Sequence, residues 1–370
     1  MTNPFICYSE RTKTEYLSRA CSVNSVRIAK LSLRGIDDSI EGRRADEIFS
    51  AKIISEDIRR TAERLRIDVS DYTFKELPRF ISDYMMSDDI LRQRLAQSMA
   101  QKYGNRLGLL LLTLRQGLPE NRDARPDWGD EHWEYWAQIE NVILTGGLAG
   151  GILGKRFKEQ IQYIFDLAGE RVYNITIYEN SSHIGAIGCA RLISEVDKTF
   201  AVLDFGQTNL KRCIVTKRSG ELSNITMLPT EPSINMELDF SDSDENYSRA
   251  LELHRYLLNI LTDTCKELPL KDGEQGEVII SIANYVVGGT LNTFRGGYAK
   301  LSLLGVDYAT MLSDELSSRL HRPFRVRLLH DGTAIALNFT GQEKTVCLSL
   351  GTAFGVGFPP DYVGSVCNGL

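Results

Sequence analysis

The feature that most constrains the fold is an alternation of short apolar strands and helices that begins at residue 141. Asn141–Thr145 (NVILT) and Thr345–Leu350 (TVCLSL) are typical of these strands, since each is a short apolar run followed directly by glycine. Three further strands are predicted as a β-meander joined by two tight turns, at residues 200–205, 210–217 and 221–228. This alternation predicts an α/β fold in which helices cover both faces of mixed sheets.

The first 140 residues predict mainly helices. An apolar stripe at three- and four-residue spacing runs through residues 43–66, and a second helix begins after Ser87-Asp88-Asp89, which are good capping residues. Three tryptophans follow within nine residues, at positions 128, 133 and 136. We interpret them as an aromatic helix face buried in a core, with stacking on a base or a sugar as the alternative.

Length, charge and cysteine content exclude several classes of protein. The 370 residues exceed what one hydrophobic core usually organises, so two domains are expected. With 43 basic and 49 acidic residues the net charge is −6, and we expect no nucleic-acid partner. The longest apolar run, residues 107–114, is too short to span a bilayer, and the first residues lack the apolar core of a secretory signal. Seven cysteines without a close pair suggest reduced thiols and offer no zinc spacing, so a cytoplasmic protein without a membrane partner is expected.

Three glycine-rich turns follow predicted strands: residues 204–209 (DFGQTN), 350–357 (LGTAFGVG) and 145–151 (TGGLAGG). Glycine lets a backbone approach a phosphate closely, and consecutive N–H groups then form a concavity that binds anions. Asp204 ends its strand just before such a turn, where a carboxylate could hold Mg²⁺ through water. Each turn taken singly is also typical of a hairpin connection, and none matches the Walker or the dinucleotide-binding pattern.

A fourth segment, residues 328–336 (LLHDGTAIA), places an aspartate where an apolar strand gives way to a helix. Asp331 could simply cap that helix, because Asp is a favoured capping residue. The functional alternative is a general base that takes the proton from an attacking hydroxyl. His330 beside it could tune or replace that role, or could be a packed residue at a strand end.

Taken together, these segments resemble a known family. DFGQTNLKRCIV is similar to the phosphate-1 motif of sugar kinases in the actin, heat-shock ATPase and hexokinase superfamily (ASKHA), and most similar to that of the ROK and hexokinase families. LHDGTAIAL resembles the segment that carries their catalytic aspartate, and LSLGTAFGVGF resembles phosphate-2. VILTGGLAGGILGKRF, followed by SSHIGAIGCARLI, resembles the adenosine motif and the final helix, so the resemblance covers residues 141–370.

The resemblance implies a two-lobed actin-like ATPase fold, which is ribonuclease H-like, with mixed sheets flanked by helices. The adenosine motif comes first here, whereas in the family it comes last, and the cyclic order of the motifs is otherwise the same. This order indicates a circular permutation. One predicted lobe combines residues 1–194 with 341–370 and carries the adenosine and phosphate-2 motifs. The other, residues 195–340, carries phosphate-1 and the aspartate.

The implied activity is the ATP- and Mg²⁺-dependent phosphorylation of a hydroxyl on a sugar or a sugar-like small molecule. A non-catalytic sugar or nucleotide sensor and a partner-coupled ATPase on the same fold are the alternatives, and a homodimer is left open. Asp331 would be the catalytic base, and Asp204 would position Mg²⁺ through water. The implied phosphate-binding residues are Gly206, Gln207, Thr208, Asn209, Lys211, Gly351, Thr352 and Gly355; the adenosine-binding residues are Gly146, Gly147, Gly150 and Gly151; the substrate contacts are Asn284 and Tyr298.

The chain also differs from the family pattern. Gln207 replaces the second glycine of the phosphate-1 motif, and Ala353 and Val356 occupy positions where the phosphate-2 motif often has glycine. A non-glycine residue at any position that requires a positive φ would carry strain. His330 replaces the usual asparagine, and the closely spaced cysteines of the ROK zinc cluster are absent from the sequence.

Overall fold

The structure, a computed structural model, describes residues 2–65, 68–74, 76–178, 183–234, 243–291, 296–305 and 307–366. It divides into two compact units, each discontinuous in sequence. Unit 1 comprises Met1–Phe5, Ala20–Ser182 and Glu343–Phe358, and unit 2 comprises Ile6–Arg19, His183–Gln342 and Pro359–Leu370. The sequence predicts one lobe from residues 1–194 together with 341–370, and a second lobe from residues 195–340. In that prediction the segments Ile6–Arg19 and Pro359–Leu370 belong to the first lobe, whereas in the structure they belong to unit 2.

The strands are β1 (Ile6–Ser9), β2 (Thr14–Leu17), β3 (Asn141–Thr145), β4 (Asn174–Ile177), β5 (Lys198–Phe205), β6 (Asn209–Arg218), β7 (Glu221–Met227), β8 (Glu231–Pro232), β9 (Gly276–Ile282), β10 (Val286–Val287), β11 (Thr290–Leu291), β12 (Phe324–His330), β13 (Thr345–Leu350) and β14 (Phe354–Gly357). The helices are α1 (Ala45–Ile48), α2 (Ala51–Leu65), α3 (Arg79–Tyr84), α4 (Ile90–Gln116), α5 (Pro119–Asp123), α6 (Asp130–Gln138), α7 (Gly151–Ala168), α8 (Ile184–Ala190), α9 (Ser243–Lys266), α10 (Tyr308–Leu320) and α11 (Asp331–Ala336).

The sheet of unit 1 has the strand order β14-β13-β3-β4. β13 runs parallel to β3, and β3 runs parallel to β4, whereas β14 folds back antiparallel on β13. The tryptophan-rich segment lies in the core of this unit, where Trp133 and Trp136 are fully buried. Phe5 packs edge-on against Trp128 and stacks on Phe358 with ring centroids 5.2 Å apart. The interpretation of the tryptophans as core residues is therefore confirmed.

The sheet of unit 2 has the order β12-β9-β5-β6-β7, with β8 paired to β6. β12, β9 and β5 are parallel, and β5, β6 and β7 form the predicted antiparallel meander. Side chains of β5 alternate between two cores. Leu203 packs on the side of α9 and α10, while Val202 packs on the side of α8 and α11. The predicted fold class, mixed sheets flanked by helices, is confirmed; the circular permutation stays a prediction.

The long apolar stripe of residues 43–66 is not one helix, because the chain interrupts it between α1 and α2. Phe49 has an extended backbone, with φ −146° and ψ 109°, and its ring is buried. Ser50 then accepts a hydrogen bond from the N–H of Ile53 through Oγ at 3.3 Å, which satisfies a free amide at the start of α2. The predicted helix is therefore divided where a large side chain enters the core.

Two further expectations concern the whole chain. Within the described ranges, no helix combines the length and the hydropathy that crossing a bilayer requires. The six cysteines in the same ranges are free, and five of them are buried. Cys367 lies outside the described residues.

Candidate functional site

The two predicted carboxylates belong to one end of the unit 2 sheet. β5, β9 and β12 are parallel, so their carboxyl ends lie along the same edge. Asp204 is the penultimate residue of β5, and Asp331 follows β12 as the first residue of α11. In open α/β sheets, ligands bind outside the carboxyl ends of the strands. The topology therefore brings the two aspartates to the edge where a ligand is expected.

Asp204 is held by its two neighbouring strands. In the sheet register it lies opposite Lys211 on β6 and opposite Ser281 on β9. Ser281 Oγ donates to Asp204 Oδ1 at 2.6 Å, and Lys211 Nζ lies 3.9 Å from Oδ2. Burial raises the pKa of Asp204, the charge of Asp331 raises it further, and Lys211 and Ser281 oppose the shift. The negative charge of Asp331 therefore acts on Asp204, and a cation beside Asp204 would offset it.

The oxygen atoms of this site fit Mg²⁺. Mg²⁺ is usually bound through one or two carboxylates while it keeps several waters. About a quarter of the Asp204 side chain is exposed (27%), so a hydrated ion can approach its oxygens. Among the described residues, no group of three or more His, Cys, Asp or Glu side chains is arranged to hold a metal. Asp204 therefore offers carboxylate oxygens to a hydrated magnesium ion.

Asp331 makes two contacts through its Oδ1 atom. The N–H of Gly332 donates to Oδ1 at 2.7 Å, and His330 Nε2 lies 3.1 Å from it. The N-cap position of α11 is occupied by His330, whose side chain makes no capping bond. Among the described residues, no hydrogen bond links the Asp331 carboxylate to the amides two or three residues on that a capping side chain reaches. The alternative of a simple capping aspartate is therefore disfavoured.

Burial shifts the pKa values of Asp331 and His330 in opposite directions. It raises the pKa of Asp331 to about 6 and lowers the pKa of His330 to about 3. At neutral pH Asp331 is thus a carboxylate and His330 is uncharged. A carboxylate whose pKa lies near the operating pH is well suited to general-base work.

The position of α11 depends on a close helix crossing. A Cβ atom at Gly188 of α8 would lie 1.8 Å from the carbonyl oxygen of Ala334 in α11. Only glycine allows the two backbones to approach this closely. The small residues of α8 therefore fix the position of the helix that carries Asp331.

The turn at residues 206–208 connects β5 and β6, and hydrogen bonds to neighbouring segments hold it in place. Gly206 N–H donates to Asn209 O at 3.2 Å, and Tyr298 Oη donates to Gly206 O at 2.7 Å. Tyr298 is fully buried, and its hydroxyl also lies 3.1 Å from Ser233 Oγ. Gln207 Nε2 donates to Ala283 O at 3.2 Å. Through these contacts Tyr298 supports the turn, and its predicted contact with substrate stays a prediction.

The three non-glycine residues in the glycine motifs carry no left-handed strain. Among the described residues, the non-glycine residues with positive φ are Lys13, Ser219, His321 and Lys344. Gln207, Ala353 and Val356 are therefore accommodated without strained backbone, and the two turns keep their form without those glycines.

The glycine turns of unit 1 lie side by side because β3 and β13 are parallel. Gly146, at φ +92°, follows β3, and a Cβ there would lie 2.5 Å from Leu350 O at the end of β13. Leu348 and Leu144 face each other in the register, and Leu148 N–H donates to Leu350 O at 3.0 Å. Gly146 is thus required by this close approach of two strand ends.

The remaining glycines of unit 1 have different surroundings. A Cβ at Gly147, Gly150, Gly151 or Gly351 would meet no atom within 4 Å. No packing contact explains these glycines, although Gly151 also has a positive φ of +58°, and the space above their backbones is open to a ligand. Thr352 is exposed in the same turn, whereas Gly355 lies within β14, where a Cβ would be 3.1 Å from Ser349 Cβ.

Asn284 lies two residues beyond the end of β9. Its side chain is almost fully buried, at 4% exposure, and neither Oδ1 nor Nδ2 has a hydrogen-bond partner among the described residues. The ring of Tyr285 stacks on His330, with centroids 4.5 Å apart and an interplanar angle of 8°. Sequence reasoning missed Tyr285 and Ser281. A signal existed for Ser281, since it is the polar residue near the end of an otherwise apolar strand.

The structure thus gathers the predicted site residues into two groups, one in each unit. Unit 2 brings together Asp204, Gly206, Gln207, Thr208, Asn209, Lys211, Asn284 and Asp331, with Tyr298 beneath the turn. Unit 1 brings together Gly146, Gly147, Gly150, Gly151, Gly351 and Thr352.

Comparison with known proteins identifies no family: no family model and no curated protein matches the chain. Among solved structures, the ethanolamine utilization protein EutJ from Carboxydothermus hydrogenoformans is 16% identical, over 62% of this chain and 74% of that chain, with a TM-score of 0.30. A hexokinase from Schistosoma mansoni, complexed with glucose, is 20% identical over 47% of this chain and 44% of its own, with a TM-score of 0.28. The PilM–PilN type IV pilus biogenesis complex is 15% identical over 49% of each chain, with a TM-score of 0.27.

These three structures have the actin-like ATPase fold. This chain spans less than half of the hexokinase and PilM–PilN chains that it matches. At TM-scores this low, the likeness carries no argument about family or activity, so the function has to be argued from the site itself.

Proposed function

We propose that the protein is an ATP- and Mg²⁺-dependent phosphotransferase that phosphorylates a hydroxyl group of a sugar or related polyol. The observation that carries the proposal is the pair of aspartates at one sheet edge in two different environments. Asp331 is a partly exposed base (32% of its side chain) whose pKa is raised to about 6, whereas Asp204 accepts a hydrogen bond from Ser281 and faces Lys211. Phosphoryl transfer needs one group that receives a proton and another that positions the metal.

In this proposal each residue has a defined task. Asp331 accepts the proton of the acceptor hydroxyl while the new O–P bond forms and the bond between the γ-phosphorus and the ADP oxygen breaks. Asp204 orients the hydrated Mg²⁺, which compensates phosphate charge when bound. The backbone amides at 206–209 and 351–352 would bind phosphate oxygens, and the glycines at 146–151 would leave room for adenosine. The protein contributes mainly positioning and charge compensation.

The test is ADP release from Mg·ATP with a panel of hexoses, amino sugars and polyols and a control without acceptor. We expect one class of acceptor to stimulate ADP release, with a phosphorylated product of matching mass. Equal turnover without any acceptor would instead identify an ATPase. Silence across the panel, while nucleotide or sugar still shifts the Tm, would identify a sensor and overturn the proposal.

The pH dependence of the reaction follows from Asp331. Burial raises its pKa to about 6, and only the carboxylate can take up the acceptor proton. We therefore expect kcat/KM to be level above about pH 7 and to fall about tenfold per unit below about pH 6. A profile measured at saturating Mg·ATP that stays level down to about pH 5 would contradict the role of Asp331.

The raised pKa of Asp331 also determines how the free energy of unfolding depends on pH. The folded protein holds the Asp331 proton more tightly than the unfolded chain, in which the pKa is near 3.8. Its contribution to stability is therefore fully present below about pH 4 and is lost as the pH rises through about 6. At neutral pH the charged form of Asp331 therefore lowers the free energy of unfolding.

A further inference from the structure

We propose that unit 1 binds a phosphate group, as the free ion or as the ester of a small metabolite, in a cavity at the amino ends of its parallel strands. The cavity has a volume of about 190 Å³. Its cationic lining residues are Arg115, Arg171 and Lys344, and among the described residues that line it Glu140 is the one carboxylate. The site is independent of the proposed function, since none of the predicted nucleotide- or substrate-binding residues lines it.

The topology places this cavity at the end of the sheet opposite the glycine turns. Glu140 directly precedes β3, Lys344 directly precedes β13, and Arg171 lies three residues before the start of β4. β3, β4 and β13 are parallel, so their amino ends meet at one edge, whereas Gly146 and Gly351 follow the carboxyl ends of β3 and β13. The cavity is therefore a second site and not an extension of the predicted nucleotide-binding turns.

Backbone hydrogen bonds join the segments that line the cavity. The N–H groups of Glu140 and Asn141 both donate to Lys344 O, at 2.8 and 3.1 Å. The N–H of Asn174 donates to Glu140 O at 2.8 Å. These main-chain bonds fix the positions of Glu140 and Lys344 relative to each other. The lining charges are thus presented by one hydrogen-bonded edge rather than by independent loops.

Arg115 is held in place by packing as well as by a hydrogen bond. It belongs to the last turn of α4, and its Nη1 donates to Ala137 O at 2.5 Å. Its guanidinium lies over the Tyr173 ring, 4.2 Å from the ring centroid. Tyr173 is itself 3% exposed, and its hydroxyl donates to Leu111 O at 3.2 Å. Because packing has already ordered this guanidinium, little side-chain entropy is lost when it binds a ligand.

The cations of the cavity outnumber its carboxylates. Glu140 Oε1 lies 2.7 Å from Lys344 Nζ, and an ammonium group has three N–H donors, so Lys344 keeps donors for a ligand. Neither Arg115 nor Arg171 forms a salt bridge with a residue that the structure describes. Two guanidinium groups therefore line the cavity without a counter-charge of their own.

The three cations act together on Glu140. Lys344 lowers the pKa of Glu140 most, and the charges of Arg171 and Arg115 lower it further. Glu170, which precedes Arg171, lies outside the lining and accepts a hydrogen bond from the side chain of the last residue of α4 at 3.0 Å. The lining thus carries an excess of two positive charges.

Charge and size narrow the ligand class. A phosphate monoester carries about −1.5 to −2 charge at pH 7, which matches the two excess positive charges, whereas a monocarboxylate would leave one of them uncompensated. The planar guanidinium fork binds phosphate oxygens bidentately, and two arginines line this cavity. Its volume of about 190 Å³ is smaller than the roughly 300–1,000 Å³ of sites for drug-sized ligands. It therefore suits a phosphate group with a short carbon skeleton rather than a nucleotide.

The test is isothermal titration calorimetry of the full chain at one fixed ionic strength, without nucleotide. The probes are inorganic phosphate and glycerol 3-phosphate, with acetate and succinate as carboxylate controls. A phosphate dianion places both charges and all its acceptor oxygens on one group, so we expect it to bind saturably and at least about tenfold more tightly than either carboxylate. Equal affinity for the two phosphate probes would identify the free ion as the ligand, and tighter binding of the ester would identify a metabolite. No saturable binding of either phosphate probe, or equal affinity for succinate, would overturn the proposal.

Arg171→Gln removes a cation that has no structural task. The Arg171 side chain is exposed and makes no hydrogen bond or salt bridge to a described residue, so the Tm of the unliganded variant should equal that of the wild type. Phosphate affinity should fall about tenfold, and Arg171→Lys, which keeps the charge without the fork, should lose only a few-fold. The matched control is Arg79→Gln, which removes another exposed arginine of unit 1 from outside the cavity. Phosphate affinity of Arg171→Gln equal to that of the control would place the ion elsewhere and contradict the proposal.

Glu140→Gln distinguishes a binding site from a charge cluster that only stabilises the fold. The variant removes the one carboxylate among the described lining residues and leaves Lys344 Nζ without its partner at 2.7 Å. The excess positive charge then rises from two to three, so phosphate should bind about three- to tenfold more tightly. The Tm of the unliganded protein should be unchanged or lower, because an ion pair is lost. A cluster with a purely structural role would show the lower Tm without tighter binding, and unchanged or weaker phosphate binding would contradict the proposal.

Discussion

Asp331→Asn is expected to lower kcat for acceptor-stimulated ADP release by about 10²- to 10⁴-fold, the usual contribution of a positioned general base. The amide keeps the size of the side chain but cannot take up the acceptor proton. Its oxygen can still accept from Gly332 N–H, the contact that Asp331 makes at 2.7 Å, so α11 should be preserved. Binding of Mg·ATP, followed as a shift in Tm, should stay within a few-fold of wild type.

The matched control is Asp307→Asn in the same unit. Asp307 is also an aspartate at a helix start, and its Oδ1 caps α10 by accepting from Thr310 N–H at 3.0 Å. Asn is an equally good cap, so turnover of this variant should stay close to wild type. If Asp331→Asn retained kcat within tenfold of the control, Asp331 would not be the base.

The stability of Asp331→Asn provides an independent check. Since burial raises the pKa of Asp331, its charged form is disfavoured in the folded protein at neutral pH. Removing that charge should leave the Tm unchanged or higher. A loss of activity accompanied by a large fall in Tm would instead indicate a structural role.

Asp204→Asn is expected to lower kcat/KM for Mg·ATP by about 10²- to 10³-fold, as for the loss of one preorganised electrostatic group. The variant keeps an oxygen that can accept from Ser281 Oγ, whose bond to Asp204 Oδ1 is 2.6 Å long. It loses the negative charge that faces Lys211 Nζ at 3.9 Å and attracts the cation. We therefore expect the Mg²⁺ concentration at half-maximal rate to rise, which a magnesium titration of ADP release measures.

Glu277→Gln is the control for removing a buried carboxylate from the same sheet. Glu277 is 5% exposed near the start of β9, at the opposite end from Ser281, and it lies 3.5 Å from an Arg327 guanidinium nitrogen. Its replacement should lower the free energy of unfolding, because it removes the carboxylate that faces the partly buried guanidinium of Arg327. The Mg²⁺ requirement should not change. An equal rise in the Mg²⁺ requirement of both variants would show that Asp204 acts only through stability.

The strands that the sequence predicted most accurately are those marked by an apolar run that a glycine ends. β3 and β13 begin and end where their apolar runs do, because Thr145 and Leu350 are each followed by glycine. The hairpin of β1 and β2 was not predicted. Its four-residue strands, ICYS and TEYL, are too short and too polar to show a convincing alternation.

Part of the candidate site could be predicted for a similar reason. Asp204 and Asp331 could be singled out because each stands at the end of an apolar strand. The partner that Asp204 finds in Ser281, 77 residues away, depends on the parallel register of β5 and β9, which no local pattern specifies. Burial of Tyr298 under the 206–208 turn likewise results from long-range packing. Contacts between distant segments were therefore beyond the reach of periodicity and motif spacing.

The sheet of unit 1 has a consequence for how the protein is made on the ribosome. β3 pairs with β13, and Asn141 and Thr345, which face each other across the two strands, are 204 residues apart. Until the later strand has been translated, β3 has an open edge that can pair with other nascent chains. The six strands of the unit 2 sheet are encoded entirely between those two strands, so they can pair first. Unit 1, which contains β3, is thus the last to close its sheet, and the nascent chain has to keep that edge protected in the interval.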